Sequence, residues 1–177
     1  MPVQHKTLRS MIVSAMMTAL AVALPLVFHT LGLGSKFLPM FLPLLLNAFL
    51  ASWPWSIVAA VTAPWLSAAL TGMPPIFPPV ALIMSCECAV MAGVASALYR
   101  ASRKNLWLSL LSAILLGRLT GFLLTWFFAA KFGLSGGLAA SAVIVQGLPG
   151  VILQLILVPL ALQGLRRRNG LLLNADD

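Results

Sequence analysis

Glu87 stands between Cys86 and Cys88 in "FPPVALIMSCECAVMAG", residues 77 to 93, a run that is otherwise almost wholly apolar. Thiolates and carboxylates both ligate transition metals, so the first chemistry this triplet raises is a metal centre. Helical spacing argues against it. Positions two apart on a helix point ~200° apart, so the two thiols face nearly opposite ways and share neither a metal nor a disulfide. The histidines, His5 and His29, fall in the N-terminal tail and on another apolar segment, which leaves a structural zinc site without its ligand set. The cysteines read as small packing residues, and no metal or other cofactor is expected.

The carboxylate is the harder residue to place. Glu87 is the only acid outside the terminal Asp176 and Asp177. Its setting follows from composition: 61% of the 177 residues are hydrophobic, only 8% are charged, and the mean hydropathy is +1.04. Soluble domains carry about a quarter charged residues, so the chain is an integral membrane protein. An ionised group near the bilayer centre costs roughly 2.5 to 3.5 kcal/mol on insertion scales, and therefore calls for a partner or a purpose.

Six apolar segments can supply that setting, at about 10–33, 37–51, 55–72, 77–99, 106–130 and 138–165. The expected fold is an all-α membrane domain of six transmembrane helices spanning residues 1–177. The second segment is short and opens with "FLPMFLP", which predicts a tilted or partly buried helix. Lys6, Arg9, Arg100, Arg103, Lys104 and Arg166 to Arg168 fall on one side of six crossings, and only Lys36 and Lys131 on the other. By the positive-inside rule both termini are expected to be cytoplasmic. The same short basic flanks account for the net charge of +8 without nucleic acid. The first apolar stretch is too long for a cleaved signal and is expected to be retained. Trp53, Trp55 and Trp107 fall at the inner interface, where aromatic belts form.

Arg118 is the one basic residue left inside the membrane. Counting from the outer helix ends puts Glu87 ~15 Å deep and Arg118 ~18 Å deep, so the two can pair. Asn47, Gln146, His29 and Lys36 fall at related or shallower depths, and with the pair they can line an outward-facing polar cavity. The same residues also suit a purely structural reading, with the ion pair and the amides acting as interhelical glue. Trp65 and Trp126, deeper than the belt, can stack on a ring-shaped ligand or pack against neighbouring helices. Pro64 and the "QGLPG" stretch predict loosened helices beside a cavity, and "TGMPPIFPP", residues 71 to 79, predicts a stiff extended loop over its mouth. Ala15, Ala19 and Ala23 recur every four residues and form a small-residue stripe that lets another helix approach closely.

In order along residues 30 to 162, "KFLPMFLPLLLNAFL", "LTGMPP", "ECAVMAG", "LLGRLTG" and "GLPGVILQLILVP" resemble the substrate-binding S components of energy-coupling factor (ECF) transporters. The resemblance implies a bundle that captures a vitamin or vitamin precursor near the outer face. It also implies a separate transmembrane coupling protein and two cytoplasmic ATPases as partners. On that pattern Ala15, Ala19 and Ala23 dock the coupling protein, and "LGLGSK" after the first helix helps gate the site. The closest motifs imply a small heterocycle of the hydroxymethylpyrimidine or pyridoxine type. One departure is Cys88, where relatives carry an aliphatic residue.

Two features of the chain agree with that division of labour. There is no G-x-x-x-x-G-K-[ST] phosphate loop, and there is no inverted repeat of a self-contained secondary carrier. The absence of G-x-S-x-G and H-E-x-x-H motifs, with only His29 inside the membrane, speaks against an enzyme. A solitary or oligomeric carrier, and a structural subunit of a membrane complex, stay open as alternatives.

Overall fold

Proline, glycine and charge mark several of the helix ends. The computed structural model describes residues 2–30, 32, 37–77, 79–133 and 136–168, without the side chains at 2–4, 29–30, 136–140, 142–144, 146 and 166–168. Six helices follow in order among the described residues: α1 Pro2–Thr30, α2 Phe41–Leu50, α3 Trp53–Thr71, α4 Val80–Ala101, α5 Leu106–Lys131 and α6 Gly136–Arg168. No strand occurs among the described residues. Four of the helices, His5–Phe28 within α1, all of α4 and α5, and Gly147–Leu165 within α6, are long and apolar enough to cross a membrane. α3 has the length, but three Trp and two Pro dilute its hydropathy.

Several boundaries differ from the sequence expectation for local reasons. α1 begins at Pro2 rather than near residue 10, because "VQHKTLRS" holds no helix breaker and simply carries the helix out through its basic flank. α4 begins at Val80 rather than 77, because Pro78 and Pro79 fit only before or within a first turn. Asn105 caps α5, its side chain accepting from Leu108 N. α6 runs unbroken through Pro149 and Pro159, so the loosening expected at "QGLPG" does not interrupt the helix.

The helices alternate in direction, and side chains tie their ends. At one end Ser52 N donates to Ser10 Oγ (2.7 Å) and Arg100 Nη2 donates to Ala51 O (3.0 Å), joining α1, the α2–α3 corner and α4. Leu165 of α6 shares a crevice there with Arg9 and Leu50. This basic end therefore holds both the start of α1 and the end of α6. At the opposite end Phe77 meets Phe132 edge-on at 5.4 Å, and Phe28 approaches Phe37 at 6.0 Å.

α2 is the shortest helix and the most enclosed. Eight of its ten residues, Phe41, Pro43, Leu44, Leu45, Leu46, Asn47, Ala48 and Phe49, are buried. A helix apolar on all sides packs on all sides. At ~1.5 Å per residue it covers ~15 Å, about half the hydrocarbon thickness. Around it α4 and α5 approach closely along Ser109, Ala113, Gly117 and Gly121, buried small residues every four positions on α5. Sequence reading singled out this kind of stripe on α1 and overlooked it here.

Candidate functional site

Each wall of the site comes from a different helix. Glu87 lies in the middle of α4 and faces α5, where Gly121 leaves room: a Cβ there would stand 2.7 Å from Glu87 Oε2. One turn earlier on α5, Arg118 Nε lies 3.1 Å from Glu87 Oε1, with only 12% and 5% of the two side chains exposed. The expected depth match is thus a contact. The N–H does not align with the oxygen, so the pair is held by charge. Glu87 Oε1 and Arg118 Nε and Nη2 have no hydrogen-bond partner among the described residues.

Arg118 is held from two further sides. Its guanidinium carbon lies 4.6 Å above the ring of Phe41, the first residue of α2. A desolvated cation over an aromatic face gains ~2 kcal/mol or more. On α6, a Cβ at Gly147 would fall 3.2 Å from Arg118 Nη1, and one at Gly150 only 2.7 Å from Phe37 O. The glycines of "QGLPG" therefore serve close approach rather than a helix break.

Phe41 also forms part of the wall of a cavity of about 280 Å³, with Pro25, Leu38, Met40, Ser67, Met73, Pro74 and Met84 around it. Among the described residues its lining is almost wholly apolar. Ser67, the one polar side chain of that described lining, donates to Met73 O (2.7 Å) and so pins the α3–α4 loop. Met84 precedes Glu87 by about one turn, which puts the cavity next to the ion pair on the side away from the basic end. The pair touches this cavity only through Phe41; Arg118 itself borders a separate crevice of about 270 Å³ between α5 and α6, beside Ile114, Leu148 and Val151.

The remaining expected residues separate. Asn47, fully buried, accepts from Ser14 Oγ through Oδ1 (3.2 Å), while its backbone oxygen accepts from Ser56 Oγ (3.2 Å), so α1, α2 and α3 meet there. Its Nδ2 has no hydrogen-bond partner among the described residues. Trp65 and Trp126 are 40% and 51% exposed on the surface of the bundle and do not join the pair. Lys36, with the rest of the 34–36 gate, and the side chains of His29 and Gln146 lie outside the described residues. Cys86 and Cys88 are free thiols, Cys88 buried, and among the described residues no three His, Cys, Asp or Glu gather as a metal set.

One residue was missed. Gln154, on α6, is 1% exposed, and neither Oε1 nor Nε2 has a partner among the described residues. The available signal was its face: it follows Gly147 by seven residues, nearly two turns, on the same side of the helix.

A second, larger depression of about 650 Å³ lies on the outside, between α1 and α3. Ala15, Ala19 and Ala23 are exposed along it, facing Trp55, Val58, Thr62 and Leu66. With no charged lining and an open side, it has the shape of a helix-docking groove rather than of a solute chamber.

The family described as the ECF transporter, substrate-specific component, matches residues 9–162. The chain belongs to that family. No curated protein and no solved structure matches it. As an S component it is a multi-pass helical membrane protein and the substrate-binding subunit of a transporter, working with partners of the ECF kind.

Proposed function

We propose that this S component captures a small vitamin-like heterocycle, of the hydroxymethylpyrimidine or pyridoxine type, at the end of the bundle away from the basic flanks. The observation that carries this reading is the Glu87–Arg118 pair buried beside an apolar cavity of about 280 Å³, with unspent hydrogen-bonding atoms on both residues. Apolar walls suit a ring, and an acid with a base suits its polar substituents. The volume suits a single ring with short substituents.

In this reading Phe41 is the platform between chamber and charge, and Arg118 behind it polarises the face a ring would meet. Residues 71 to 77 form the described part of the mouth, with Met73 and Pro74 lining the chamber. Uptake is driven by a coupling protein and two ATPases, with the coupling protein seated in the α1–α3 groove along Ala15, Ala19 and Ala23. The basic end then faces the cytoplasm.

The test is direct. Purified protein titrated with hydroxymethylpyrimidine and pyridoxine should bind one of them saturably, and both Glu87→Gln and Arg118→Ala should weaken that binding at least tenfold. Unchanged affinity in both variants would remove the pair from the site.

A further inference from the structure

α1 and α6 both pack on α2, yet among the described residues they make no contact with each other. At the basic end a crevice of about 170 Å³ lies between them, lined by Arg9, Val13, Met16 and Met17 of α1, Leu50 of α2 and Leu165 of α6. These residues of α1 lie on a different face from Ala15, Ala19 and Ala23, so the crevice is separate from the α1–α3 groove. Met16 is 66% exposed, which opens the crevice sideways to the surroundings of the bundle. For a chain that crosses the membrane those surroundings are acyl chains, and a gap left unfilled forfeits van der Waals contacts along its whole lining.

The lining changes polarity in one direction. Arg9 is its residue nearest the N-terminus of α1, at the basic end, and Val13, Met16 and Met17 follow over ~12 Å of rise into the apolar span. On the opposite wall Arg166, Arg167 and Arg168 continue α6 directly beyond Leu165. A charged group at the edge of the membrane over an apolar trough complements a phospholipid with its head outward and its chain inward. The sign of the charge selects the head. A guanidinium donates two parallel N–H bonds to a phosphate, and basic pockets between helices at this edge of a membrane attract anionic heads. The α1–α3 groove, which has no charged lining, offers no such selection.

We infer that the α1–α6 crevice is a binding site for one anionic phospholipid, with its headgroup phosphate on Arg9 and an acyl chain along Val13, Met16 and Met17. The bound lipid joins two helices that the chain itself leaves apart.

Native mass spectrometry of the full chain tests this, after removal of co-purified lipid and addition of phosphatidylglycerol or phosphatidylcholine with the same acyl chains. Wild type should retain the first phosphatidylglycerol at least fivefold better than phosphatidylcholine, and should gain more in melting temperature from it. Arg9→Gln should abolish that preference. Val13→Trp, which fills the trough and keeps the charge, should cut retention of both lipids at least threefold. Arg103→Gln removes the same charge from the exposed α4–α5 loop at the same end and should leave the preference intact. Should Arg9→Gln not fold, Val13→Trp and Arg103→Gln carry the test. Equal retention of the two lipids by wild type overturns the site. A loss of preference in Arg103→Gln as large as in Arg9→Gln means that lipid follows the overall charge of this end, and unchanged retention in Val13→Trp means that no chain enters the crevice; either result overturns the inference. Inorganic phosphate that stabilises wild type as much as phosphatidylglycerol does would make this an anion site without a lipid, and overturns it too.

Discussion

Gly121 of α5 lies so close to Glu87 of α4 that a single methyl group placed on it would stand 2.7 Å from the carboxylate oxygen Oε2. The carboxylate is thereby confined between the backbone of α5 and Arg118. Gly121→Ala should push Glu87 off its position without removing any charge. The expected outcome is a folded protein whose solute affinity falls at least tenfold by calorimetry. Ala at Gly93, where a Cβ meets only Ile57 at 3.7 Å, should leave affinity within twofold.

Removing one member of a buried ion pair strands the other. Arg118→Ala leaves Glu87 uncompensated in an apolar interior, and the expected loss is about 3 to 5 kcal/mol of stability. The double variant Glu87→Gln with Arg118→Met buries no net charge and should be more stable than Arg118→Ala alone. Thermal unfolding in detergent of the two singles and the double checks this. A double variant no more stable than Arg118→Ala would show that the two charges do not compensate each other.

Ala19 is exposed in the α1–α3 groove, so a larger side chain there disturbs no packing within the chain. Ala19→Leu should leave the melting temperature and solute affinity unchanged. It should cut recovery of the coupling protein in co-purification to a small fraction of the wild-type yield. Undiminished recovery would put the coupling protein elsewhere.

Ile76 is exposed in the loop whose residues Met73, Pro74 and Pro75 border the chamber. In a background with Cys86 replaced by Ala and the buried Cys88 kept, Ile76→Cys should react readily with a maleimide in the free protein. Saturating solute should slow that reaction several-fold if the loop closes over it. An unchanged rate would mean that this loop does not gate the site.

The sequence made part of this fold legible because hydrocarbon tolerates so few arrangements. Six apolar segments separated by proline and charge could hardly be anything but helices, and an acid and a base at matching depth had strong reason to meet. What it hid was direction around each helix axis. Gln154 is a single amide in an apolar run, and only its place on the glycine face of α6 marks it as buried. Small-residue stripes occur on α1 and on α5. One lies exposed in a groove and the other is sealed against α4, a difference that spacing alone cannot encode. The hydrogen bond of Asn47 to Ser14 depends on α2 being wrapped by its neighbours, which a hydropathy pattern does not reveal.

The brevity of α2 also bears on energetics. Because this helix covers ~15 Å upward from the Ala51 corner, a solute resting against Phe41 would already be about halfway through the insulating layer. Under the proposed ATP-driven uptake, any charge on the solute there would have traversed a share of the membrane's electric field before ATP is spent. The translocation stroke would then act over the remaining thickness only, and the dependence of uptake on membrane voltage would be divided between capture and release.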